Sequence, residues 1–75
     1  MKDLIEFIAK SLVDQPGEVS VTENGAGSSV TLELHVAQDD MGRVIGRSGR
    51  VANAMRILLR VVATRNGKRV NLEIV

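Results

Sequence analysis

The chain has 75 residues, room for one small domain that buries only a modest share of its surface. Its apolar fraction of 44% supports a core, but Phe7 is the sole aromatic residue, so the core is aliphatic and no aromatic platform for stacking bases exists. The absence of Cys excludes disulfides and thiolate metal sites, and the net charge of +1 conceals an asymmetry, with eight acidic and two basic side chains in residues 1–40 against one and eight in residues 41–75.

Leu4, Ile5, Ile8 and Leu12 recur at helical spacing, with Met1 and Phe7 flanking the stripe. They predict an amphipathic helix that stops at Asp14-Gln15-Pro16-Gly17. Asp3 and Glu6 make this opening neither a signal peptide nor a membrane span, so the expected location is cytoplasmic, with no membrane partner. Glu18 to Glu23 alternates through Val19 and Val21. Asn24-Gly25-Ala26-Gly27-Ser28 reads as a five-residue turn, and Val30, Leu32, Leu34 and Val36 alternate after it, completing a β-hairpin. Asp39 or Asp40 is positioned to cap a short helix through Met41, Arg43, Val44 and Ile45, which Gly46 ends. A second helix starts near Ser48 or Gly49, with an apolar stripe of Val51, Ala54, Met55, Leu58, Val61 and Val62. Asn66-Gly67 ends it, and Val70, Leu72 and Ile74 alternate in a last strand.

The order is α-β-β-α-α-β. This is an α+β sandwich, with helices on one face of a three-stranded sheet, and residues 1–75 are expected to form a single domain.

The informative stretch is Met41 to Val51, where Gly46-Arg47-Ser48-Gly49 joins two helices. Glycine reaches positive φ and lets another backbone come close. The second helix begins at this loop, and its free N–H groups and positive dipole end favour phosphate. Arg43, Arg47 and Arg50 add positive charge, and the guanidinium fork donates two hydrogen bonds to a phosphate.

A bare Gly-x-x-Gly occurs in many proteins. Here it follows Val44-Ile45 inside a strand–helix–helix–strand unit, and that combination resembles the KH domain, whose loop clamps about four nucleotides of single-stranded backbone. An extra helix and strand in front resembles the bacterial type II arrangement. Across the whole chain, the opening Asp3 to Val13, the run Asp40 to Gly46 and the ending Val70 to Val75 resemble the small single-KH bacterial KhpA family. The resemblance implies that Gly46, Arg47, Ser48 and Gly49 contact an RNA backbone. Val44 and Ile45, with Val51 or Ala54 opposite, would line an apolar groove, and the strand Val30 to Val36 would form its far wall. It also implies a mixed sheet, with the middle and last strands parallel. Implied partners are single-stranded RNA and either a second copy or a longer Jag-type KH protein. Implied roles are RNA chaperoning, cell shape and cell-wall control. Where the family often carries Lys or Gln in the loop, this chain has Arg47 and Ser48, which keep charge and hydrogen-bonding capacity.

The remaining charges have plainer readings. Arg56 and Arg60, one turn apart, read as a solvated face or as partners for acids of the first helix, with a basic track for RNA as the alternative. Arg65, Lys68 and Arg69 meet the dipole at a helix end, with a peripheral phosphate contact as the alternative. His35, on the polar side of its strand, has no partner for catalysis or metal binding. Ile57 and Leu59 broaden the apolar surface, which marks either an interface or deeper burial. No nucleophile–base pair, metal cluster or Walker-type loop supports an enzyme, and no cofactor is implied. The competing expectation is a protein-interaction module that has the fold and binds little RNA of its own.

Overall fold

In the computed structural model, which describes every residue from Met1 to Val75, the order follows the pattern of periodicities. α1 (Lys2–Leu12) leads through a 3-10 turn at Pro16–Glu18 into β1 (Ser20–Ala26) and β2 (Ser29–His35). α2 (Met41–Ile45) and α3 (Arg50–Arg65) follow, then β3 (Arg69–Ile74). The sheet order is β1-β2-β3, with β2 antiparallel to β1 and parallel to β3. This mixed sheet, with helices on one face, is the α+β type II KH arrangement that the resemblance implied.

Strand alternation decides which face is covered. Val30, Leu32 and Leu34 of β2 and Leu72 of β3 turn inward, and they pack with Ile5, Val44, Met55 and Leu59 in one aliphatic core. Burying such side chains stabilises the fold by about 1.5–3 kcal/mol each. Thr31, Glu33, Asn71 and Glu73 occupy the opposite, uncovered face.

Several details depart from the periodic reading. In α1 the fully buried residues are Ile5 and Ala9, whereas Leu12 and Phe7 face solvent, Phe7 at 71% exposure. Ala9 lets the helix approach the sheet, and its small size hides this from a hydrophobicity pattern. The hairpin loop is two residues, not five. Ala26 pairs with Ser29, and only Gly27-Ser28 turns the chain. Gly27 has φ 61 while Ser28 keeps negative φ, the pattern of a II′ turn, whose twist matches the strands. Asn24 and Gly25 therefore belong to β1. A Cβ on Gly25 would stand 2.6 Å from the Ser29 carbonyl oxygen, so its lack of a side chain suits that close strand pairing.

α3 shows the largest difference. It buries Ala52, Met55, Leu59 and Ala63, and it leaves Ala54, Ile57, Leu58 and Val61 outside. Both sets satisfy a helical period, and the larger side chains lie on the wrong one for a volume-weighted reading. The core took the face on which Ala52 and Ala63 flank Met55 and Leu59, the two alanines letting the helix ends lie close to their neighbours.

Asp40 departs in its role. Its side chain makes no cap bond to α2, although it is only 1% exposed. Its carboxylate accepts the backbone N–H groups of Asp14 and Gln15, each at 3.1 Å. Arg43 Nε lies 3.4 Å from the same carboxylate. The turn after α1 is thus tied to the start of α2, and a buried charge is satisfied on several sides.

Candidate functional site

The joint between α2 and α3 is shaped by three consecutive demands on the backbone. Gly46 adopts φ 77, ψ 171, a region open almost only to glycine. Ser48 follows at φ 57, ψ 25, the sole non-glycine residue with positive φ, and Gly49 at φ 77, ψ 14. The two glycines serve different purposes. A Cβ on Gly46 would meet Val51 Cγ2 at 2.5 Å and Val51 N at 2.8 Å, so Gly46 makes room for the first turn of α3. Around Gly49 the nearest atom to such a Cβ is Asn53 Nδ2 at 3.9 Å. Its backbone is open to an approaching ligand.

Hydrogen bonding agrees. Gly46 N–H reaches the Gly42 carbonyl at 2.8 Å, Gly49 N–H reaches that of Gly46 at 3.1 Å, and Arg50 N–H reaches that of Arg47. The amides of Arg47 and Ser48 have no backbone acceptor. Both residues are exposed, at the head of a 16-residue helix with no acid in its first turn. Donors and dipole together favour an anion there.

The side chains expected around the loop separate into three groups. Arg47 and Arg50 are exposed and make no ion pair. Arg43 is already engaged, donating to Asp14 Oδ2 at 2.9 Å besides its contact with Asp40, so two arginines rather than three are free. Val44 is fully buried and belongs to the core instead of lining a groove. Ile45 is 37% exposed beside the loop, Val51 is half-buried beneath Gly46, and Ala54 stands exposed on the outer ridge of α3 with Ile57, Leu58 and Val61.

The expected far wall also moves. β2 is the central strand, paired on both edges, so Val30 to Val36 cannot offer an open edge. β3 can. Arg69 N–H bonds the Ser28 carbonyl at 2.7 Å, and Val75 N–H bonds that of Leu34 at 2.9 Å. In a parallel ladder this turns the N–H and C=O groups of Val70, Leu72 and Ile74 outward. Arg56 and Asn53 line the flank of α3 that faces this edge. Arg56 Nη2 donates to the Leu72 carbonyl and Nη1 to Asn53 Oδ1, both at a long 3.4 Å. Neither Arg56 nor Arg60 pairs with an acid of α1. The sequence reading passed over Asn53 and the strand edge. Asn53, four residues after Gly49 and hence on its side of the helix, was the available signal.

What results is a phosphate-favouring loop at the head of α3, beside the seam where α3 meets the open edge of β3. That seam has polar donors on its helix side, and outward backbone groups with half-buried Val70 and Ile74 on its strand side. No helix of the chain is long and apolar enough to cross a membrane.

Comparison with known proteins bears on this geometry. Residues 2–74 match the family described as KhpA/KhpB, KH domain. The chain is 52% identical to the RNA-binding protein KhpA of Clostridium acetobutylicum and 48% to that of Clostridium perfringens, in each case over the whole of both chains. Identity to the RNA-binding protein KhpA of Listeria monocytogenes is 45%, covering 100% of this chain and 99% of that one. Among solved structures, Era in complex with MgGDPNP and a segment of 16S ribosomal RNA aligns with a TM-score of 0.62 at 19% identity, over 97% of this chain and 28% of that one. A variant of Aquifex aeolicus Era bound to GDP·AlF4− gives the same values. At that identity the likeness to Era is one of fold.

Proposed function

Because the chain belongs to the KhpA/KhpB family of KH domains, we propose that it is a single-domain, cytoplasmic binder of single-stranded RNA. Gly46, Arg47, Ser48 and Gly49 hold the backbone, and bases lie along the seam between α3 and the open edge of β3. The observation that carries this reading is the loop. Two unbonded amides, two unpaired arginines and an uncrowded Gly49 converge at the head of α3. Phosphates sit there on the N–H groups of Arg47 and Ser48, with the guanidinium groups of Arg47 and Arg50 closing around them. Ile45 offers the base nearest the loop an apolar contact. The outward N–H and C=O of Leu72 offer the next base a donor and an acceptor. With so few base-reading groups, selectivity is weak and binding falls steeply with salt. A chaperone or regulatory role follows from this mode, since weak, sequence-tolerant contacts let a strand be held and released.

The test is fluorescence anisotropy with a short labelled single-stranded RNA, comparing the parent with an Arg47→Asp, Ser48→Asp double variant. Both positions are exposed, so the variant should keep its circular-dichroism spectrum. Loss of binding supports the loop, and equal binding refutes it.

A second reading, pairing with another KH chain, is favoured by a separate observation. Ala54, Ile57, Leu58 and Val61 form an exposed apolar ridge along α3, with Ile57 58% and Val61 50% exposed. Such a ridge suits a second copy or a longer Jag-type partner, and pairing would place two loops on one assembly.

A further inference from the structure

At the end of α3 away from the loop, a cleft of about 340 Å³ opens between that helix and the start of β3. Arg60, Thr64, Lys68, Arg69 and Asn71 form its walls, with buried Ala63 and half-buried Val70 beneath. No lining residue is acidic. Arg60, Lys68 and Arg69 are all exposed and none makes an ion pair, whereas Arg43 elsewhere makes two.

The helix dipole does not account for this gathering. The dipole acts within the last turn, and Arg60 lies more than a turn before the end of α3 at Arg65. Three of the closing carbonyls are also satisfied already. The Val62 oxygen accepts Asn66 N–H and Asn66 Nδ2, the Ala63 oxygen accepts Asn66 and Lys68 N–H, and the Thr64 oxygen accepts Gly67 N–H. The three cations are therefore not consumed in capping, and an anion in the cleft would relieve their mutual repulsion.

We propose that this cleft is a second phosphate site, taking a backbone phosphate of the same single strand that the Gly46–Gly49 loop holds. The inference rests on the RNA-binding reading and extends it in length. Arg60 and Arg69 offer forked donors, Lys68 a point charge and Thr64 a neutral donor, a set matched to phosphate oxygens. The volume is at the small end of ligand-sized pockets, which run from about 300 to 1,000 Å³, and suits one nucleotide. From Arg50 to Arg60 the helix rises about 15 Å at ~1.5 Å per residue, so the cleft lies well along the seam from the loop. The footprint then exceeds the four or so nucleotides that such a loop clamps.

The experiment measures anisotropy with labelled oligouridines of four and of ten nucleotides, between about 50 and 200 mM potassium chloride. Affinities for the longer strand are divided by its number of four-nucleotide registers. The parent is compared with the triple variant Arg60→Gln, Lys68→Gln, Arg69→Gln. The four-nucleotide strand should bind both alike. On the ten-nucleotide strand the variant's log–log salt slope should be shallower by about 0.7, the value for one phosphate contact on a single strand. The fourfold rise in salt then costs the parent roughly two- to threefold more affinity than it costs the variant. A variant that keeps the parent's slope on the longer strand overturns the proposal. So does a variant that weakens both strands by the same factor, because that reports a diffuse field. The Arg47→Asp, Ser48→Asp variant on the four-nucleotide strand tests the loop separately, so loss of the loop reading and loss of the cleft reading give different results.

Discussion

Substituting alanine for each loop glycine should separate packing from conformation. At Gly46 both act. Its φ 77, ψ 171 costs a residue with a Cβ about 1–3 kcal/mol. That Cβ also meets Val51 at Cγ2 (2.5 Å), N (2.8 Å) and Cβ (2.9 Å). A methyl rotor could yield, but Val51 N is backbone in the first turn of α3, so the helix must shift, at about 1–3 kcal/mol for overpacking. Together Gly46→Ala should cost about 4 kcal/mol. At Gly49 only the left-handed conformation matters, since nothing lies closer than 3.9 Å, and alanine there should cost about 1–2 kcal/mol. A chain of this size is stable by roughly 4–11 kcal/mol, so Gly46→Ala removes a large share of it. In melts followed by circular dichroism, Gly46→Ala should lower Tm by about 15–30 °C and Gly49→Ala by about 4–15 °C. Adding Val51→Ala to Gly46→Ala should cost less than the two changes summed, because the closest clashing atom is gone. Equal destabilisation by the two glycine substitutions, within about 0.5 kcal/mol, would refute the distinct roles assigned to them.

Asp40→Ala should destabilise by about 2–4 kcal/mol in urea melts, because it strands two N–H groups and frees Arg43, and Asp40→Asn should cost less by keeping one acceptor. Ile57→Glu with Val61→Glu should leave Tm within a few degrees while abolishing self-association in sedimentation velocity; a self-association that persists places the interface elsewhere. Glu6 titrates below its ordinary value of 4.5, first because Lys10 Nζ donates to its carboxylate at 2.8 Å and then through the charge of Lys10. A depressed carboxylate stabilises the fold above the ordinary value and loses that contribution as pH falls through its lowered value. In a carbon-detected titration, Lys10→Met should therefore move Glu6 upward.

The element order, the mixed sheet and the loop were legible because each has a local signature: period 2, period 3.6, and two glycines between helices. What escaped the sequence depended on which of two acceptable faces the core selected. In α3, Ala52 and Ala63 lost to Leu58 and Val61 on volume, yet the folded helix turns the two alanines inward with Met55 and Leu59. Strand order is a tertiary property, so the far wall of the groove was assigned to β2, which lies in the middle of the sheet, and not to the edge strand β3. Asp40 reads as a helix cap by position, and only the folded chain reveals that Asp14 and Gln15 claim its carboxylate. Arg43 was lost to the loop for the same reason, because its acidic partners lie 29 and three residues away. Gly25 escaped for want of any side chain to report its pairing.

The most direct measurement is a ¹⁵N–¹H titration of the labelled protein with four-nucleotide single-stranded RNA. Amides of Arg47, Ser48, Gly49 and Arg50 should shift most, followed by those of Val70, Leu72 and Ile74 along the open edge, while Thr22, Thr31 and Glu33 on the uncovered sheet face stay still. Shifts concentrated on that sheet face, with the loop unmoved, would contradict the account.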